Sequence, residues 1–191
     1  MANYSPLIGI LRYSAGNTGS VQRALMRLHI SSCIVETSEG IAAVDGLIFP
    51  GAGAAQSAMN DLRKKKLIDV IKDYPRPFLG LCLGMQLLFD HSEEGDTECL
   101  GIIPGNVSIL PDDVIKPHMG WNLLSTGSYA YFVHGYSCMP HDPLMTTMTA
   151  QYGTEICAGV RKKNFFGLQW HPEKSGQAGD NYLLSFVELC K

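Results

Sequence analysis

From residue 7 to residue 90 the chain alternates short apolar runs with longer amphipathic stretches, and that alternation restricts what it can fold into. Leu7–Leu11 reads as a first strand, and Ser20–Leu28 follows with Val21, Leu25 and Leu28 at helical spacing. Ser32–Glu36 and Gly46–Phe49 are of strand length. Ser57–Tyr74 reads as one long helix whose apolar side is Met59, Leu62, Leu67, Val70 and Ile71. Phe78–Leu81 is a short apolar strand, and Gly84–Asp90 opens a further helix. Strand, helix and strand in succession imply a parallel sheet covered on both faces. Beyond residue 100 the texture changes. Val107–Leu110, Ala130–Tyr136, Thr147–Tyr152, Ile156–Arg161 and Phe165–Trp170 read as short strands split by Gly, Pro and Asp, and Asn181–Cys190 as a closing helix. The expected fold class is α/β: an open, mostly parallel sheet flanked by helices, with additional antiparallel strands in the second half. Residues 1–191 are expected to form a single domain.

Composition narrows the function classes. Hydrophobic residues make up 46% of the 191 and charged residues 17%, enough apolar material for a core and too much for a disordered chain. Fifteen Lys and Arg against 18 Asp and Glu leave a net charge of −3, so a nucleic-acid partner is not expected. The one basic run, Arg63-Lys64-Lys65-Lys66, reads as a solvated helix face. No apolar run approaches the roughly 18 residues of a membrane helix. The N-terminus has no basic segment leading into a signal-type core, and a cytoplasmic, non-membrane protein is expected. The six cysteines are scattered without a Cys-x-x-Cys pair, against a disulfide framework or a zinc ribbon. Neither a metal nor a cofactor is expected.

Gly80-Leu81-Cys82-Leu83-Gly84 stands between an expected strand and an expected helix. This is the setting of a nucleophile elbow, in which small residues flank a strained turn that projects the nucleophile. A thiol at a helix N-terminus gains from the helix dipole, and the following N–H groups point into the same space. Pro50-Gly51-Ala52-Gly53 follows another strand. Ligands bind at the carboxyl ends of strands in open α/β sheets, so this loop is expected beside Cys82, where its N–H groups complete an oxyanion hole. No Lys-Ser or Lys-Thr follows the glycines, which excludes a P-loop. His171, directly after the last expected strand, is the general-base candidate, and Glu173 is placed to accept its other ring N–H. His118 and His134 are competing bases without an acidic neighbour in sequence. His29 and His141 read as surface or helix-edge residues.

These three segments together resemble the class I (triad) glutamine amidotransferases. Gly80-Leu81-Cys82-Leu83-Gly84-Met85-Gln86, Pro50-Gly51-Ala52-Gly53 and His171-Pro172-Glu173-Lys174-Ser175 match that family's pattern in order and spacing. Gly16-Asn17, Pro117-His118-Met119-Gly120-Trp121-Asn122 and Tyr131-Phe132-Val133-His134-Gly135-Tyr136 bring the chain nearest to the glutaminase subunits of imidazole glycerol phosphate synthases. The resemblance covers nearly the whole chain. It implies Cys82 as the nucleophile on glutamine, His171 as proton shuttle and Glu173 as its orienting acid. It implies an oxyanion hole from Gly51, Ala52 and Leu83, and amino-acid binding by Gln86, Gly135 and Tyr136. Asn17, His118, Met119, Trp121 and Lys174 are implied at the interface with a (β/α)8 cyclase subunit that receives the ammonia as heterodimer partner. Two positions depart from the family pattern: Arg12-Tyr13-Ser14-Ala15 precedes Gly16-Asn17 where Asp-Tyr-Gly is usual, and Gly135 stands where serine is usual. The alternatives are a paralogous glutaminase that supplies a surface-sugar amidation synthase, a stand-alone thiol hydrolase, and a catalytically silent interaction module.

Overall fold

The strands β1 (Ile8–Leu11), β3 (Gly46–Phe49) and β4 (Phe78–Leu81) form in the first half of the chain because their apolar runs are buried on both sides, and β2 (Ser32–Val35) adds a half-buried edge. The computed structural model describes residues 5–14 and 16–191. Successive side chains enter opposite cores: Leu47 and Phe49 of β3 lie on one face of the sheet, Ile48 on the other. A sheet buried on both faces needs such continuous apolar runs. The intervening helices are α1 (Thr18–Arg27), α2 (Ser38–Ala42), α3 (Ala55–Lys64) and α4 (Ile68–Lys72), and α5 (Leu83–Gln86) follows β4. Asn17 caps α1, its side chain accepting from the Ser20 N–H, and Thr37 caps α2 through the Gly40 N–H.

The second half adds β5 (His91–Ser92), β6 (Thr97–Glu98), β7 (Gly105–Ile109), β8 (His118–Leu123), β9 (Tyr129–His134), β10 (Tyr136–Pro140), β11 (Thr146–Tyr152), β12 (Thr154–Lys162) and β13 (Phe165–Leu168). Helix α6 (Gly176–Glu188) closes the chain. The main sheet has the order β11-β12-β13-β4-β3-β1-β2. From β2 to β13 it is parallel, and β12 and β11 add to it antiparallel. A second sheet, β10-β7-β5-β6, and the hairpin β8–β9 stand apart from it. The expected fold class is therefore observed.

Several expected boundaries move. Ser57–Tyr74 is two helices, because Lys66 turns into the left-handed region at φ 56° and the Leu67 N–H reaches back to the Leu62 carbonyl at 3.0 Å. Glycine or asparagine normally marks this stop, so a lysine there leaves no signal. The basic run consequently lies across a helix end, where Arg63 and Lys64 oppose the carboxyl dipole. Gly84–Asp90 is helical only to Gln86, and His118–Asn122 belongs to strand β8. Ala130–Tyr136 breaks at Gly135 into β9, paired with β8, and β10, paired with β7. Helix α6 begins at Gly176, five residues ahead of the expected start at Asn181.

Glycines set how closely the ends of β3 and β4 approach. A Cβ on Gly84 would stand inside the contact shell of the Phe49 carbonyl oxygen. One on Gly51 would strike the backbone N–H groups of Leu83 and Gly84, and one on Gly80 the Gly84 carbonyl. These neighbours are backbone, so they cannot turn aside. Gly84→Ala is expected to cost about 3 kcal/mol, lowering Tm by roughly 6–12 °C in a chain of this size. Gly135 has nothing within 4 Å of the corresponding position. Gly135→Ala is accordingly expected to melt within about 2 °C of wild type. Equal melting temperatures for the two variants in a calorimetric scan would contradict this packing account.

Candidate active site

The adjacent strands β3, β4 and β13 run parallel, so their carboxyl ends lie side by side. Each leads into one of the segments singled out in the sequence: Pro50–Gly53 after β3, Cys82 after β4, and His171 after β13. A cleft of about 330 Å³ opens over these ends. Gly51, Ala52, Cys82, Leu83, Gln86, Gly135, Tyr136 and His171 line it, with Asn17 and Lys174 also on its wall.

Cys82 occupies a sharp turn at φ 51°, ψ −109°. A non-glycine residue in such a conformation stores about 1–3 kcal/mol of strain and persists only where its surroundings hold it. Here the Cys82 N–H donates to the Leu168 carbonyl at 2.7 Å, and the Cys82 carbonyl accepts from Met85 and Gln86 N–H at 3.0 and 3.1 Å. The elbow is thus clamped to β13 on one side and to its own helix on the other. Cys82 Sγ lies 3.6 Å from the Val133 carbonyl oxygen, and Gln169 Nε2 donates to Sγ at 3.7 Å.

His171 Nδ1 lies 2.9 Å from Glu173 Oε1, and both side chains are buried. The 3₁₀ turn Pro172–Lys174 brings Glu173 back onto the ring two residues after it. Burial by itself pulls the imidazole down, but Cys82 first and Glu173 second outweigh it and raise the ring to about 10. The other nitrogen, Nε2, is buried without a well-formed hydrogen bond among the described residues. Contacts of this kind are commonly long before substrate binds. The position of His171 is tied to hairpin β8–β9. Its N–H donates to the Tyr131 carbonyl at 2.9 Å, and Ser175 Oγ accepts from the Tyr131 N–H while donating to the His171 carbonyl.

The loop after β3 is anchored from below. Tyr13 is buried, its ring 4.9 Å from that of Phe49, and its hydroxyl donates to the Pro50 carbonyl at 2.5 Å. Burial pushes the Tyr13 hydroxyl far above its ordinary value, so it stays a donor. Glu94 faces the cleft and accepts from the Ala55 N–H at 2.8 Å. Folding alone brings Tyr13 and Glu94 to the site, whereas Gln169 and Ser175 flank the His171–Glu173 segment and arrive with it.

The remaining expected residues separate. Met119 and Trp121 are 63% and 58% exposed on the outer face of β8. His118, expected beside them at an interface, is only 3% exposed and turned inward, because strand alternation sends residue 118 to the face opposite exposed neighbour 119. His134, a competing base, has both ring nitrogens engaged away from Cys82, and burial pulls it down to about 4. His29 and His141 are exposed. The six cysteines are free thiols. Burial pushes Cys33 and Cys138 up, Cys157 to about 11, and Cys99 and Cys190 to about 12. Among the described residues no three His, Cys, Asp or Glu side chains converge in a way that would hold a metal ion, and no helix is long and apolar enough to cross a membrane.

Residues 11–189 match the family described as Glutamine amidotransferase class-I. The chain belongs to that family. Imidazole glycerol phosphate synthase subunit HisH of Idiomarina loihiensis is 40% identical over 191 residues, covering 94% of this chain and 96% of the relative. The protein of the same name from Exiguobacterium sibiricum is 42% identical, covering 95% of each. A solved glutamine amidotransferase structure superposes with a TM-score of 0.79 at 19% identity over 96% of this chain and 98% of that one. PurLQS from Thermotoga maritima superposes at 0.75 with 18% identity, over 98% and 100% of the two chains. At these identities the structural matches bear on the fold alone.

The electrostatics of His171 carry a testable consequence. A ring held at about 10 keeps its proton through neutral pH, and Cys82 is the foremost group holding it there. In Cys82→Ala only Glu173 remains to oppose burial. The His171 midpoint, followed by NMR of the ring protons, is expected to fall by more than about one pH unit. An unchanged midpoint would separate the two side chains electrostatically.

Proposed function

We propose that this chain is the glutaminase subunit of an imidazole glycerol phosphate synthase and that Cys82, His171 and Glu173 are its catalytic triad. The observation that carries the reading is the meeting of a strained thiol elbow, a buried His–Glu pair and a glycine loop at three adjacent strand ends. The relatives of about 40% identity over nearly the full chain carry the choice of synthase.

The Cys82 sulfur attacks the side-chain carboxamide carbon of glutamine. The N–H groups of Leu83 and of the Gly51–Ala52 segment hold the developing oxyanion. His171 passes its proton to the departing nitrogen as the C–N bond breaks, leaving a glutamyl thioester and ammonia. Water then attacks the thioester with His171 as base, releasing glutamate and restoring the thiol. Glu173 keeps the imidazole in one tautomer and orientation. Gln86, with Gly135 and Tyr136 opposite, receives the amino-acid part, and the Glu94 carboxylate suits an α-ammonium group. The partner is a (β/α)8 cyclase subunit seated on the exposed Met119 and Trp121 face, with Asn17 and Lys174 on the same side. Ammonia passes to it directly, so hydrolysis waits for the partner. The Gly51–Ala52 peptide is the switch, since flanking glycines make its rotation cheap.

Glutamine hydrolysis is measured with and without the cyclase subunit. Low activity alone and a large rise in the complex are expected. In the complex, Cys82→Ala is expected to lose activity by at least about 10³-fold, and His171→Ala nearly as much. Glu173→Gln is expected to fall less, because orientation is a smaller effect than proton transfer. An electrophilic glutamine analogue is expected to label Cys82 alone. Labelling at another thiol, or full activity of Cys82→Ala, refutes the triad; full activity of the isolated wild-type chain refutes the gating.

A further inference from the structure

His118 and His134 are buried, titratable and unused by the triad chemistry. They lie side by side: His118 Nδ1 is 3.0 Å from His134 Nε2. The His118 ring is stacked between Tyr152, with centroids 3.9 Å apart, and Phe132 at 4.7 Å. Both faces of the ring are covered, so it communicates only through its in-plane nitrogens. His134 Nδ1 lies 2.7 Å from the Tyr136 carbonyl, and Asn122 Nδ2 lies 3.3 Å from His118 Nε2.

The direction of every bond in this string is determined from its ends. A carbonyl only accepts, so His134 Nδ1 carries a proton toward Tyr136. In a neutral imidazole His134 Nε2 is then an acceptor, and His118 Nδ1 must donate to it. His118 Nε2 is left as an acceptor and meets the Asn122 amide. That amide is itself oriented by the backbone, with Oδ1 accepting from the Leu123 N–H and Nδ2 donating to the Gln151 carbonyl, both at 2.8 Å. A proton added to either ring would set donor against donor. Burial lowers both imidazoles, which agrees with a neutral pair.

The string ends at the cleft. The Tyr136 carbonyl that receives His134 also receives Gln86 Nε2 at 3.1 Å, which fills both of its lone pairs. The second Gln86 N–H goes to Gln169 Oε1 at 3.1 Å. With both amide hydrogens committed, Gln86 can meet a ligand only as an acceptor, through Oε1.

We propose that Asn122, His118 and His134 are positioning residues: a one-way string of hydrogen bonds running from hairpin β8–β9 to the Tyr136 carbonyl that sets Gln86 as an acceptor for the ammonium of the bound amino acid. This rests on reading the cleft as the glutamine site. The string also gives the outer face of the hairpin a direct line to substrate binding. Met119 and Trp121 flank Gly120 on that face, while residues 118 and 122 of the same strand hold the inner end.

The test uses the complex with the cyclase subunit for kinetics and ¹⁵N-histidine NMR of the chain for tautomers. Wild type is expected to show both His118 and His134 as neutral Nδ1–H forms at neutral pH. His118→Phe keeps the stacking and removes the string. It is expected to raise the KM for glutamine about tenfold while kcat changes by less than about threefold, the size of one lost hydrogen bond in binding. His118→Asn places an amide N–H at the Nδ1 position and is expected to recover most of the loss. An Nε2–H or charged form at either ring in wild type overturns the proposal whatever the kinetics. So does a wild-type KM in His118→Phe, or a loss confined to kcat. A wild-type complex that hydrolyses no glutamine refutes the proposed function, and the positioning role with it; active wild type with unmoved KM in the variant refutes the positioning role alone.

Discussion

Backbone packed directly on backbone at the ends of β3 and β4 is the contact on which the rest of the site depends. Gly84 lies under the Phe49 carbonyl, Gly51 lies over the Leu83 and Gly84 amides, and Gly80 abuts the Gly84 carbonyl. With no Cβ among them, the loop after β3 comes within reach of the thiol elbow after β4. A side chain at any of the three would separate the two loops by its own thickness. The strain in Cys82 is tolerated for the same reason. The turn has no room to relax, because β13 holds its N–H and α5 holds its carbonyl.

The second half of the chain supplies the opposite wall and ties it to His171. Hairpin β8–β9 does not join the main sheet, yet Tyr131 exchanges hydrogen bonds with the segment from His171 to Ser175. Val133 of β9 reaches the thiol, and the continuation through Gly135 into β10 carries Tyr136 to Gln86. One small element and its continuation therefore touch Cys82, His171 and Gln86 together. Its outer face carries exposed Met119, Trp121, Leu123 and Tyr129. A partner covering that face would press on all three at once.

Local pattern sufficed for whatever depends on local chemistry. The parallel strands were legible because burial on both faces requires uninterrupted apolar runs, and the observed β3 and β4 have the expected limits. Cys82, His171 and Glu173 were legible because an elbow, a strand-end histidine and an acid two residues on are short-range features. Boundaries failed where the stop signal was unusual. Lys66 occupies a left-handed position that glycine or asparagine would have announced. Strand β8 was missed because its burial alternates around glycine and a histidine, with apolar side chains on the exposed face.

What the sequence by itself determined is the order of elements, the fold class and the residue types capable of thiol chemistry, because periodicity and motif spacing act within a few residues along the chain. What only the tertiary structure decided is how His171 meets the thiol and what the two competing histidines do. The acid two residues on marked His171 in the sequence, but nothing there assigned partners to His118 and His134. Folding gives His171 a carboxylate and a sulfur, which hold its proton, and gives His118 and His134 each other, an amide and a carbonyl, which keep them neutral. The carboxylate, the amide and the carbonyl are near neighbours of their rings in sequence, but Cys82 and His171, and likewise His118 and His134, come from different elements. No short window on the chain contains those two pairings.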